Sequence, residues 1–161
     1  ISTSGIVPKI LEFADFPYQV NLAISLHAPT NEIRNSIMPI NKAYPIEKLM
    51  DALRIYYEKT KRKITFEYVM LSGINDTDEC AERLAKLLKG MNCYVNLIPY
   101  NETNNIGYKR SKKEKILRFY DIMKKNNINV TIRREFGGKI SAACGQLRSK
   151  KENSDNREAN A

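Results

Sequence analysis

The sequence has few side chains that could hold a metal ion. It contains three cysteines and one histidine, His27. A structural zinc site needs four cysteine or histidine ligands, and a catalytic one needs three protein ligands. Cys80, Cys93 and Cys144 form no Cys-x-x-Cys pair, so neither a zinc ribbon nor a disulfide framework is indicated. Their spacing also fails to supply the thiolates of an iron–sulfur cluster.

Other absences exclude whole classes of protein. No apolar run approaches the roughly 20 residues that a membrane span needs, and no signal peptide heads the chain. We therefore expect a soluble, cytoplasmic protein. No glycine-rich phosphate loop follows a predicted strand, which argues against a dinucleotide-binding Rossmann fold. The chain opens at Ile1 and its first methionine is Met38, so we expect it to be a segment of a longer protein.

The composition is that of one basic globular domain. The 161 residues are 42% apolar and 28% charged, with 27 Lys and Arg against 18 Asp and Glu, a formal charge of +9. Basic residues cluster at Lys59 to Lys63, Lys109 to Lys115 and Arg133 to Lys151. Such clusters attract phosphate backbones, so RNA or DNA is a candidate partner. Lysine runs are also common on solvated surfaces, and that alternative stays open.

Apolar periodicity predicts strands that alternate with helices. The predicted strands are residues 20–26, 64–71, 93–99 and 128–133. The predicted helices are residues 6–13, a segment that starts at Pro45, one capped by Asn75 and Asp76 with Glu79, and one capped by Ser111 with Glu114. The polar segment 149–161 is expected to be a disordered tail.

This order of elements predicts an α/β fold with parallel strands. A closed TIM-like barrel needs about 250 residues, so residues 1–148 would form a partial barrel. A small, open, doubly wound sheet is the alternative. In a barrel, the chemistry lies at the carboxyl ends of the strands.

Polar residues lie at those predicted strand ends. They are Ser2 to Ser4, Ser25 to His27, and Asn101. The alternation of strand 20–26 places Ser25 and His27 on one face. Hydroxyl and amide groups suit a ribose or an amino acid carboxylate, because they both donate and accept hydrogen bonds. The alternative is that these residues only cap the strands.

Glu67 stands within an apolar run, Ile64 to Met70. A buried carboxylate is costly without a partner, so it should either form a structural pair or contact a ligand. The sequence leaves both open.

Cys144 is the thiol best suited to chemistry. It lies among small residues in Ser141 to Gly145, and the basic residues Arg133, Arg134, Lys139 and Arg148 would favour its thiolate. Cys80 and Cys93 fall within a predicted helix and strand and suit the role of small apolar fillers. An inert Cys144 is the alternative.

Several short strings carry a family resemblance. In order along the chain they are STSGIVP at 2–8, AISLHAP at 23–29, RNSIMPIN at 34–41, EYVML at 67–71, ND at 75–76, NLIPYN at 96–101 and SAACGQL at 141–147. Together they resemble the radical S-adenosylmethionine (SAM) RNA methyltransferases of the RlmN/Cfr type. The resemblance runs from Ile1 to about residue 150 and implies the carboxyl-terminal part of a radical SAM barrel that lacks its amino-terminal strands.

The resemblance also implies a function. The parent enzyme would methylate carbon 2 of adenine in large-subunit ribosomal RNA, and in transfer RNA, with SAM and a [4Fe–4S] cluster as cofactors. Cys144 would take a methyl group from one SAM. A radical made from a second SAM would then take a hydrogen from that methyl group, and the carbon radical would add to the adenine. Residues at matching positions, Ser2, Ser25, Leu26, His27 and Asn101, would contact SAM.

The sequence also departs from the family pattern. The Cys-x-x-x-Cys-x-x-Cys cluster motif, a Gly-Gly-Glu segment and a second catalytic cysteine would lie before Ile1. We therefore expect no metal ligands in this chain, a missing amino-terminal half as its partner, and no activity of the segment alone. Methylation at carbon 8, as in the Cfr branch, and a non-catalytic RNA-binding α/β module are the alternative functions.

Overall fold

A single parallel sheet organises the molecule. The computed structural model describes residues 1–102 and 107–133. Its strands are β1 (Ser2–Thr3), β2 (Leu22–Ser25), β3 (Ile64–Met70), β4 (Cys93–Pro99) and β5 (Val130–Ile132), hydrogen-bonded in that order and all parallel. The predicted α/β fold is confirmed. The sequential order excludes the doubly wound alternative, in which the strand order reverses at a switch point.

Helices connect the strands. They are α1 (Val7–Ala14), α2 (Asn31–Ile37), α3 (Ile46–Thr60), α4 (Asp78–Leu88) and α5 (Lys113–Lys125), with a 3-10 turn at Pro39–Lys42. Alternate strand residues, such as Ile24, Phe66 and Leu97, are buried in one core with the apolar helix faces. The intervening residues are only partly buried. A sheet with helices packed on one side has the arrangement of a barrel wall.

The two predicted capping boxes are wrong. Helix α4 is capped by Thr77, whose Oγ1 accepts a hydrogen bond from the Cys80 N–H at 3.2 Å. Asn75 and Asp76 make their hydrogen bonds within the preceding loop instead. Helix α5 begins at Lys113, and its N-cap residue, Lys112, makes no side-chain hydrogen bond to the helix. Ser111 is buried before it. Asn75 also donates to the carbonyls of His27 and Val69, and the buried Ser111 Oγ has no hydrogen-bond partner among the described residues. A local motif reveals neither arrangement.

Some expectations concern residues outside the described ranges. Cys144 and the predicted tail at residues 149–161 both fall there, so the boundary at 148 stays a prediction. Within residues 1–102 and 107–133, no helix is long and apolar enough to cross a membrane.

Candidate functional site

A polar row crosses the face of the sheet opposite the helices of the described residues. Ser25, the last residue of β2, is in register with Glu67 on β3, which is in register with Asn96 on β4. The Asn96 Nδ2 donates a hydrogen bond to Glu67 Oε2 at 2.9 Å. Glu67 therefore has a structural partner, which is a neutral amide.

His27 follows β2 in a left-handed backbone conformation, with φ of 58°. Its Nδ1 accepts a hydrogen bond from the Val69 N–H at 3.1 Å. A neutral imidazole that accepts at Nδ1 carries its proton on Nε2, so the ring keeps one N–H donor. Burial, together with the nearby charge of Arg34, lowers the pKa of His27 from 6.5 to about 4. The ring is therefore neutral at physiological pH.

Arg34 joins the ends of β1 and β2. Its side chain is fully buried. Nε donates to the Leu26 carbonyl at 3.1 Å, and Nη2 donates to the carbonyls of Ser4 at 2.6 Å and Ser25 at 3.2 Å. Nη1 donates to Asn41 Oδ1 at 2.9 Å. One guanidinium thus holds the segments that carry the predicted SAM-contacting residues.

Gly5 leaves the space that Arg34 occupies. Its φ is +103°, a conformation that side-chain-bearing residues rarely adopt. A Cβ at this position would lie 3.3 Å from Arg34 Nη2 and 3.2 Å from the Leu49 methyl carbons. The backbone conformation therefore favours glycine, and a side chain here would also crowd Arg34 and Leu49.

Asn75 fixes the end of β3 to His27. Its Oδ1 accepts from the Leu71 N–H at 2.7 Å, and its Nδ2 donates to the carbonyls of His27 at 2.8 Å and Val69 at 2.7 Å. Sequence reasoning missed the scaffolding roles of Asn75 and Arg34. The available signal was their presence in two of the family-like strings, ND and RNSIMPIN.

The structure brings together some of the predicted SAM-contacting residues. Ser25 and His27 lie on the same strand end, and Asn101 lies two residues beyond β4 at the same sheet edge. Ser2 on β1 is in register with Ala23, two residues before Ser25 on β2, and it is exposed. The Leu26 side chain lies in the core, and its N–H donates to the Glu67 carbonyl at 3.1 Å. Cys144 lies outside the described residues.

The donors at this edge fit SAM, whereas the described residues do not fit an iron–sulfur cluster. A neutral imidazole N–H, a serine hydroxyl and an amide can bind ribose and amino acid groups. In the described part of the chain, no three His, Cys, Asp or Glu residues are grouped to hold a metal ion. Cys80 and Cys93 are both buried, and burial raises the pKa of Cys93 to about 11, so this thiol stays protonated.

The neutral state of His27 makes stability depend on pH. The unfolded chain binds a proton near pH 6.5, whereas folded His27 binds one only near pH 4. We therefore expect the free energy of unfolding to fall by up to about 3 kcal/mol as the pH drops from 6.5 to 4. In His27→Asn, asparagine tolerates the positive φ and offers Oδ1 as the acceptor for Val69, but it does not titrate.

Urea unfolding at several pH values between 7 and 4 measures this effect. The carboxylates are common to both proteins. The difference between the two plots of unfolding free energy against pH therefore gives the contribution of His27. Equal pH dependence in the wild type and in His27→Asn would contradict the assigned protonation state.

Known proteins are similar to this chain over nearly all of its length, although no family model matches it. The "Probable dual-specificity RNA methyltransferase RlmN" of Spiroplasma citri is 59% identical over 152 residues, which are 94% of this chain and 44% of the relative. The proteins of the same name from Geobacillus kaustophilus and Enterococcus faecalis are 57% and 61% identical, over 98% and 93% of this chain and 43% of each relative. The chain therefore spans less than half the length of these curated relatives.

Solved structures show the same relationship. A radical SAM methyltransferase from Sphaerobacter thermophilus superposes with a TM-score of 0.87 at 50% identity, covering 90% of this chain and 42% of that protein. A domain of pyruvate-formate lyase-activating enzyme from Bacteroides vulgatus shares the fold, with a TM-score of 0.62 at 14% identity over 81% of this chain and 78% of that domain. Over the portion that it spans, the chain is therefore similar to the RlmN dual-specificity RNA methyltransferases and to a radical SAM methyltransferase of known structure.

Proposed function

We propose that this chain is part of a radical SAM enzyme that methylates carbon 2 of adenine in large-subunit ribosomal RNA and in transfer RNA, in the cytoplasm. The observation that carries the proposal is that Ser25 and neutral His27 lie at the carboxyl end of β2, and Asn101 lies beyond the carboxyl end of β4 at the same edge of the sheet. The dual-specificity RNA methyltransferases at 56–61% identity support it.

The residues at this edge would bind SAM, which supplies both the methyl group and the radical when bound. His27 would donate its Nε2–H, and Ser25 and Asn101 would hold ribose or amino acid groups of the cofactor. The exposed Ser2 and the Leu26 main chain would complete this side of the pocket. The neutrality of His27 matters, because SAM carries a positive sulfonium that a charged imidazole would repel.

Cys144 would carry the methyl group. Carbon 2 of adenine lies between two ring nitrogens and is not nucleophilic, so direct polar transfer to it fails. A thiolate accepts the methyl group readily, and the basic residues around Cys144 in the sequence favour that form. The ligands of the cluster would lie in the portion of the relatives that this chain does not span.

Nucleoside analysis tests the proposed function. The full-length protein, with its cluster reconstituted, is incubated with SAM and a ribosomal RNA fragment, and the digest is examined by mass spectrometry against synthetic standards. The expected product is 2-methyladenosine. A product of 8-methyladenosine would assign the protein to the Cfr branch. RNA binding without any methylated nucleoside would favour the non-catalytic module.

A further inference from the structure

The segment after β4 returns across the carboxyl edge of the sheet. The Ser72 N–H donates to the Lys109 carbonyl at 2.8 Å, and Leu71 and Arg110 form an antiparallel bridge. Leu71 directly follows β3 and is also bonded to the Asn75 side chain. This segment therefore lies at the same edge of the sheet as the candidate SAM site.

Two tyrosines and four basic residues of this segment form what we call the rim surface. It comprises Tyr100, Tyr108, Lys109, Arg110, Lys112 and Lys113. The four basic residues are exposed. The ion pairs among the described residues involve none of the three rim lysines. Within residues 1–102 and 107–133, these three lysines therefore have no carboxylate partner.

Two acidic residues near the rim surface pair with basic residues of α5, and a third, Glu102, accepts a hydrogen bond from the Arg110 N–H at 2.9 Å. Asp76 pairs with Lys115 at 3.4 Å, and Asp78 pairs with Arg118 at 2.6 Å. These two contacts fix the first turns of α5 to the loop before α4 and to the first turn of α4. They hold the base of the rim surface in place.

The tyrosines add a stacking element to the rim surface. The rings of Tyr100 and Tyr108 meet edge to face, with centroids 6.2 Å apart at 81°, and both residues are partly exposed. Aromatic rings beside lysines are typical of surfaces that bind unpaired nucleotides, because the ring stacks on a base while the cations bind phosphates.

The other described basic cluster has different surroundings. Lys59 pairs with Asp15 at 2.6 Å, and the Arg62 guanidinium donates to side chains of Gln19 and Asn21 at 3.1 and 2.7 Å. These contacts hold the loop before β2 at the amino edge of the sheet. Lys59 and Arg62 of this cluster are therefore occupied in structural contacts, on the edge opposite the candidate site.

We propose that the rim surface binds an unpaired segment of the RNA substrate beside the target adenine. This inference rests on the proposed function. An enzyme can modify a ring carbon of adenine only when the base is out of the stack, so its neighbours must be held as single strand. The lysines would contact phosphates, and Tyr108 would stack on a base next to the target.

Fluorescence anisotropy tests the contribution of the rim lysines to RNA binding. The full-length protein is titrated into a labelled RNA hairpin that carries an adenine in its loop. We expect Lys109→Gln/Lys113→Gln to weaken binding about tenfold and to make the slope of log K against log salt less steep by about 1.5. The matched control is Lys63→Gln/Lys89→Gln, which removes the same charge at the opposite edge. Its affinity should stay within about twofold of wild type.

A second pair of variants tests stacking. Tyr108→Ala should weaken binding about tenfold, whereas Tyr108→Phe keeps the ring and should bind like wild type. Equal affinities of rim, control and wild-type proteins, or equal losses in rim and control variants, would overturn the proposal. The anisotropy assay measures RNA binding and does not require methylation. If the wild type binds RNA through the rim surface but forms no methylated adenine, the proposed function fails and the rim proposal stands.

Discussion

Cys144→Ala is expected to abolish adenine methylation in the reconstituted full-length protein. In the proposed reaction the new carbon reaches RNA only through the sulfur of this residue, and alanine has no atom that can accept a methyl group. Cys144→Ser should also be inactive, because a hydroxyl is far less acidic than a thiol near neutral pH and forms little of the nucleophilic anion. Mass spectrometry of digested RNA, with a detection limit well below wild-type yield, measures the loss.

The two buried thiols supply the controls for Cys144. Cys80 and Cys93 lie in the core, and the raised pKa of Cys93 keeps it protonated. Their alanine variants should lose about 1 kcal/mol of stability from the missing sulfur and retain methylation. Wild-type yields of methylated adenine from Cys144→Ala would remove the carrier role, whereas loss of activity in all three variants would point to a general effect of thiol removal.

Much of the fold follows from periodicity in the sequence. The predicted strand at 93–99 matches β4, and the strand at 64–71 differs from β3 by one residue. These segments alternate between core and partly buried positions along their whole length, which is a strong local signal. The helix that starts after Pro45 is found as α3, since its buried residues recur at helical spacing.

The elements that the sequence did not reveal depend on polar contacts over long distances. Helix α2 has seven residues, of which only Ile33 and Ile37 are apolar, and its buried residue is an arginine, so its apolar periodicity is a weak signal. Its Arg34 is satisfied by carbonyls up to 30 positions away in sequence. Asn75 likewise bonds to His27, 48 positions away, instead of capping the helix that follows it. Local patterns carry no information about such partners.

The candidate site was predictable as a set of positions but not as a chemical state. Strand alternation predicts Ser25 and His27 on one face; in the structure β2 ends at Ser25, and both residues are partly buried. The left-handed backbone of His27, its acceptor bond from Val69 and its low pKa arise only when β3 and Arg34 pack against it. These features decide that the ring donates one hydrogen bond and carries no charge.

Arg34→Met is expected to reduce the free energy of unfolding by roughly 3–5 kcal/mol. Methionine fills much of the same volume but donates no hydrogen bond. The carbonyls of Ser4, Ser25 and Leu26 and the side chain of Asn41 would then lose their donor in a buried region. Since whole domains are stable by only about 5–15 kcal/mol, urea denaturation should show a large shift of the midpoint.

Arg54→Met provides the matched control, because Arg54 lies on α3, is 59% exposed and pairs only with Asp51 among the described ion pairs. Its loss should cost less than about 1 kcal/mol. A second readout, the pKa of His27 by NMR titration, separates electrostatics from packing. The pKa should rise in Arg34→Met, since a nearby positive charge is lost, and stay close to the wild-type value in Arg34→Lys. Equal destabilisation by Arg34→Met and Arg54→Met, with an unchanged pKa of His27, would show that the buried guanidinium does not hold the site together.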